Sequence, residues 1–194
     1  MKNNLFLQAL KKIIAGFVAI GVLLFLPAGT LHYWNAWLFV AVLFIPMFFL
    51  GIVMLFKSPK LLEKRLDAKE KIAEQKWVVA LSGIMFIAAF VVAGLNFRYS
   101  WHSLPDNVIW SGTVIFLLSY LMYAEVMREN AFLSRTIEIQ ENQKVIDTGL
   151  YGVVRHPMYS ATLLMFLSIP LILGSIISFA IMLVYIPIIA VRMN

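Results

Sequence analysis

The chain has 194 residues, 62% of them apolar and only 13% charged, with a net charge of +6. Soluble domains run near half apolar and about a quarter charged, so this composition excludes an ordinary globule, and its 15 Phe, 7 Tyr and 5 Trp exclude a disordered chain. The complete lack of Cys removes disulfides, thiolate catalysis and Cys-ligated metals together.

A helix needs about 20 apolar residues to cross the roughly 30 Å hydrocarbon layer. Runs of that length are expected at 13–31, 34–56, 77–97 and 108–127. The charged tail before the first invites a signal-peptide reading, but no small-residue cleavage site precedes Pro27-Ala28-Gly29, so an uncleaved first helix is expected. From Tyr159 to Asn194 the sequence is apolar again, interrupted by Pro170 and by Gly174-Ser175. That length suits two helices in a tight hairpin. No run alternates with period two, which argues against a β-barrel. The expected fold class is an all-α integral membrane protein of about six transmembrane helices. Its expected organisation is a four-helix part, 1–127, and a segment 128–194 that ends in the hairpin.

Positive charge orients this arrangement. All but Arg98 of the 16 Lys and Arg fall in the N-terminal tail, the 57–76 connection, the 128–157 stretch or the C-terminus. The positive-inside rule then places both termini in the cytoplasm, of a prokaryotic plasma membrane or an endoplasmic reticulum. The 57–76 connection sets Leu61, Leu62, Leu66 and Ile72 among dense charge, as a solvated or interfacial helix would.

Polar groups inside spans are costly and few here. Ser82, Ser111, Thr113, Ser119, Thr162 and Ser168 are expected to bond back to their own helices. Asn35 and Asn96 fall near an interface, and Glu125 precedes Arg128 by three residues, the spacing of a helix-surface ion pair. There is no proton-relay chain, no ring of pore charges and no inverted repeat, which leaves a transporter or channel little support. His32, His102 and His156 are too dispersed to make a metal site.

The varied functional groups lie between Arg128 and Tyr159. Asp147-Thr148-Gly149 is a turn signal. In Arg155-His156-Pro157-Met158-Tyr159, Pro157 suits the first turn of a helix, whose N-terminus beside Arg155 and His156 is a place for an anionic group. Read without any ligand, Arg155 would anchor to headgroups and His156 would cap the helix.

Taken together, Gln143-Lys144-Val145-Ile146, Gly149-Leu150-Tyr151 and Arg155-His156-Pro157-Met158-Tyr159 resemble the signature of the isoprenylcysteine carboxyl methyltransferase family, multi-span enzymes related to membrane phospholipid methyltransferases. The resemblance covers about 130–194. It implies S-adenosylmethionine as cofactor, bound at the cytoplasmic ends of the last helices by Gln143, Lys144, Val145, Ile146, Tyr151, His156, Pro157, Met158 and Tyr159. It further implies a lipidic or prenylated substrate, with Arg192 facing the acceptor carboxylate. Gln143 stands where prenyl-cysteine enzymes usually have His, and the acidic residues that follow the Arg in the family are not found before Asn194. Carboxyl O-methylation is the expected reaction. Phospholipid N-methylation, a shortened or catalytically silent scaffold and a membrane reductase are the competing expectations.

Overall fold

The computed structural model describes residues 2–66, 73–130, 146 and 148–193. Four of its helices are long and apolar enough to cross a bilayer: α1 (Lys2–Ala28), α2 (Trp34–Lys57), α4 (Ala73–Tyr99) and α5 (Asp106–Glu129). A short α3 (Pro59–Leu66) lies between α2 and α4. After α5 come a single 3-10 turn at Gly149–Gly152, then α6 (Pro157–Ile172), α7 (Ile176–Met182) and α8 (Tyr185–Met193). Among the described residues no strand forms, only one isolated bridge between Ser103 and Ser175. The all-α membrane architecture expected from hydropathy is what the chain adopts.

The hairpin is built differently from the long helices. At 1.5 Å per residue, the 16 residues of α6 reach only about 24 Å, short of a full crossing by themselves. Its end is set by Gly174, at φ +72°, where a side chain would be strained. Gly174 N–H bonds to Leu171 O (3.1 Å) and Ser175 N–H to Pro170 O (3.0 Å), a Schellman stop. Ser175 then caps α7, its Oγ accepting from Ser178 N–H at 3.2 Å. The reversal is therefore at Gly174-Ser175 alone. Pro170 does not end the helix, which runs on to Ile172 with the proline fully buried inside it.

The returning arm is itself interrupted at Leu183-Val184. Pro187 lacks the N–H that would bond to Leu183 O, and its ring crowds that carbonyl. The chain answers with two tighter bonds, Val184 N–H to Ile181 O and Ile186 N–H to Leu183 O, both 3.1 Å.

The serine and threonine side chains behave as their positions predict. Ser82, Ser111, Thr113, Ser119, Thr162 and Ser168 each donate to a carbonyl three or four residues back in their own helix, at 2.7–3.0 Å.

The long helices alternate in direction. One end of the bundle therefore gathers the start of α1, α3, the end of α5, the start of α6 and the end of α8. Lys12 Nζ donates to Leu66 O there, tying α1 to α3. The opposite end is closed by buried polar groups. Tyr33 Oη donates to Leu173 O at 2.6 Å, and Asn35 Nδ2 to Ile172 O at 3.2 Å. Asn96 pairs with the backbone of His102, accepting its N–H at 3.2 Å. Asn35 and Asn96 are thus core residues, 5% and 2% exposed, that satisfy carbonyls and amides at helix ends. The core between the ends is apolar and aromatic, with Phe39 against Phe90 and Phe116, and Phe166 against Phe86 and Tyr185.

Candidate methyl-transfer site

The site forms where α5 ends and α6 begins. These are the most extensively packed pair of helices, and Gly112 permits it: a Cβ at that position would lie 2.7 Å from Leu171 Cβ and 3.3 Å from Ile172 N.

At the end of α5, Arg128 grips Glu125 with two parallel bonds, Nε to Oε2 at 2.9 Å and Nη2 to Oε1 at 2.6 Å. This is the ion pair that the spacing predicts. Arg128 Nη2 also reaches Glu129 Oε1 at 2.9 Å. The second oxygen of Glu129 accepts from Thr148 Oγ1 at 2.8 Å, although Thr148 is 19 residues away. Glu129 was not among the residues singled out from sequence, because the apolar run of the fourth span ends before it and the helix continues for two further residues.

Beyond Thr148 the chain turns through Gly149, at φ +57°. A Cβ there would meet Glu129 Cγ at 3.0 Å, so glycine serves both the left-handed backbone and the close approach to α5. The 3-10 turn that follows carries Tyr151. Its Oη accepts from Asn130 Nδ2 at 3.0 Å, which leaves the phenolic hydrogen free to be donated elsewhere. Two links across a sequence gap thus hold Tyr151 against the end of α5.

His156 occupies the N-cap of α6 and Pro157 its first turn, buried. The His156 side chain makes no capping bond, contrary to the ligand-free reading; its carbonyl instead accepts from Ser160 N–H and Oγ at 3.1 and 3.2 Å. The imidazole is exposed, with its ring 6.0 Å from that of half-buried Tyr159. Arg155 is exposed beside it, while Met158 and Ile146 are half-buried.

Of the predicted site residues, Tyr151, His156, Pro157, Met158 and Tyr159 come to one end of the bundle. Gln143, Lys144 and Val145 lie outside the described residues. Arg192 is in α8, the arm that returns to this same end. A groove of about 550 Å³ lined by Phe17, Gly21, Phe25, Gly29 and Trp37 opens at the far half of α1 and α2, away from these residues.

The donor set suits S-adenosylmethionine. The free N–H groups at the start of α6, with Arg155, match an amino-acid carboxylate; a phenol with a hydrogen to donate suits ribose or adenine; the exposed His156 ring offers a stacking face.

Residues 107–194 match the family model for phospholipid methyltransferases. The match begins at the start of α5. It covers a little under half of the chain and supports a methyltransferase. No curated protein and no solved structure matches the chain.

Proposed function

We propose that the protein is a membrane-embedded, S-adenosylmethionine-dependent methyltransferase of a lipid, with the amine of a phospholipid headgroup as acceptor. The observation that carries this reading is the family match over 107–194, within which Tyr151, His156 and Tyr159 converge at the junction of α5 and α6. The charge distribution supports a cytoplasmic location for that junction.

When bound, S-adenosylmethionine supplies an electrophilic methyl group on a sulfonium. The α6 amides and Arg155 would hold its carboxylate, and Tyr151, fixed by Asn130, would orient it through the free phenolic hydrogen. Gln143, Lys144 and Val145 complete the proposed cofactor set. An amine attacks only when deprotonated. The exposed imidazole of His156 would take that proton. The deprotonated nitrogen would then be free to receive the methyl group that the cofactor would supply.

A second reading, methylation of a prenylated-cysteine carboxylate, is favoured by the RHPMY string together with Arg192 on the arm that returns to the site. A carboxylate is already ionised and needs no base.

The purified chain, supplied with methyl-labelled cofactor, separates the two. Label is expected in phosphatidylethanolamine, and His156→Ala is expected to slow this by roughly 10²–10⁴-fold, the usual range for a lost acid–base group. A base-labile methyl ester on S-farnesylcysteine instead establishes the second reading. Bound cofactor with no label in either acceptor establishes a silent scaffold.

A further inference from the structure

The groove of about 550 Å³ between α1 and α2 lies in the half of the bundle away from the methyl-transfer site. Two of its wall positions carry no side chain. A Cβ at Gly21 would meet nothing within 4 Å, and Gly29, at φ +68°, follows the end of α1. Aromatic pairs tie the two helices together along it: Phe17 with Phe44, ring centroids 5.5 Å apart, and Phe25 with Trp37, at 4.8 Å. Its aliphatic wall residues Val18, Val22 and Leu26 are exposed on the face of α1 that a bilayer would cover.

The dimensions select an occupant. From Phe17 to Gly29 the groove follows α1 for about 18 Å, a little more than half of the roughly 30 Å hydrocarbon layer and thus about the depth of one leaflet. Spread over that length, its volume gives a mean cross-section of about 30 Å², whereas a helix 10 Å across fills roughly 80 Å². A single polymethylene chain fits such a slot, and a helix does not.

A cation stands at the mouth. Cζ, Nε and Nη1 of Arg98, in the last turn of α4, are each 3.5 Å from the place a Gly29 Cβ would take, so the guanidinium rests flat against a wall residue of the groove. Arg98 is exposed, and among the described residues no carboxylate pairs with it. It is also the only Lys or Arg at this end of the bundle. Thr30, another wall residue, accepts at Oγ1 from His32 N–H at 3.1 Å, which leaves its hydroxyl hydrogen to donate. Exposed Trp34, Trp101 and Trp110 mark the same end as headgroup level.

We infer that the groove seats one acyl chain of a phospholipid, in the leaflet opposite the α5–α6 junction, with the lipid's phosphate on Arg98 and Thr30. A phosphodiester is the anion that a bilayer presents directly above an acyl chain, so one molecule satisfies both the slot and the cation at its mouth. Lying away from the junction, this lipid is a bound companion rather than the methyl acceptor, and its seat does not rest on the proposed function.

The test uses the full chain, stripped of lipid in a mild detergent. Retention of phosphatidylglycerol, which offers no amine to methylate, is measured by native mass spectrometry beside the matching diacylglycerol. Wild type is expected to keep one phosphatidylglycerol in preference to diacylglycerol. Gly21→Leu, which fills the slot without crowding the helix, should weaken retention by roughly tenfold or more, as several methylenes lose their seat. Arg98→Gln should weaken it by roughly threefold to tenfold and abolish the preference over diacylglycerol. Gly83→Leu, at an equally open position on α4, should change nothing. No retention by wild type, or equal retention in Gly21→Leu, would overturn the groove as the seat. Equal retention in Arg98→Gln would overturn the phosphate contact. A lipid-free wild-type dimer that Gly21→Leu separates would assign the groove to a second copy and overturn the lipid. Since no methyl transfer is read, failure of the methyltransferase reading leaves each of these outcomes intact.

Discussion

Replacing Gly112 with alanine is expected to destabilise the chain by about 1–3 kcal/mol, and valine by more, because over-packing at a rigid contact cannot be relieved by a side-chain rotation. The atoms that a Cβ would meet are Leu171 Cβ, Ile172 N and Ser168 O, all on or next to the α6 backbone. That contact lies between the start of α5 and the last turn of α6, at the end of the bundle opposite the α5–α6 junction, and the backbone of that turn must shift. Thermal unfolding in detergent should show a lower midpoint. Gly83→Ala is the matching control. Nothing lies within 4 Å of a Cβ there, so only the helix preference for alanine, up to about 1 kcal/mol, should appear.

Tyr33→Phe is expected to cost about 1–3 kcal/mol, since it leaves the buried Leu173 carbonyl without its donor while keeping the ring. Burial pushes the Tyr33 phenol well above its ordinary pKa, so it remains protonated and a donor throughout the physiological range. Tyr33→Ala should cost more, about 3–5 kcal/mol, because the ring that stacks on Phe97 at 4.3 Å is also lost. Both residues lie at the end of the bundle opposite the α5–α6 junction. Unfolding midpoints should therefore drop while the affinity of the folded protein for cofactor is unchanged.

The spanning helices are legible in the sequence because their signal is additive: twenty apolar residues in a row leave few alternatives in a bilayer. The hairpin is legible at Gly174-Ser175, where one residue supplies a left-handed backbone and the next a cap. Local rules also suffice for the serines and threonines and for the Glu125–Arg128 pair, whose partners lie within four residues. The break before Pro187 obeys a local rule too, yet it is masked by an unbroken apolar run.

What local reading misses is pairing at a distance. Nothing in the sequence joins Glu129 to Thr148 or Asn130 to Tyr151, and a charged stretch such as 57–76 reads as uniformly solvated, although packing buries Leu61 and Leu62 and withdraws two nitrogens of Arg65 from water. Asn35 and Asn96 look interfacial by position and prove to be buried staples. The site signature is legible as a string of residue types. Its arrangement depends on the bonds that tie Thr148 and Tyr151 to the end of α5.

The central claim is that the α5–α6 junction binds S-adenosylmethionine, and calorimetric titration of the detergent-purified chain tests it most directly. Micromolar binding is expected in wild type. Tyr151→Phe, which removes the free phenolic donor, and His156→Ala should each weaken it by roughly tenfold, the value of about one hydrogen bond or contact in a partly wet site. Absence of binding by the wild-type chain, or binding that neither substitution alters, would contradict the assignment of this junction as the cofactor site.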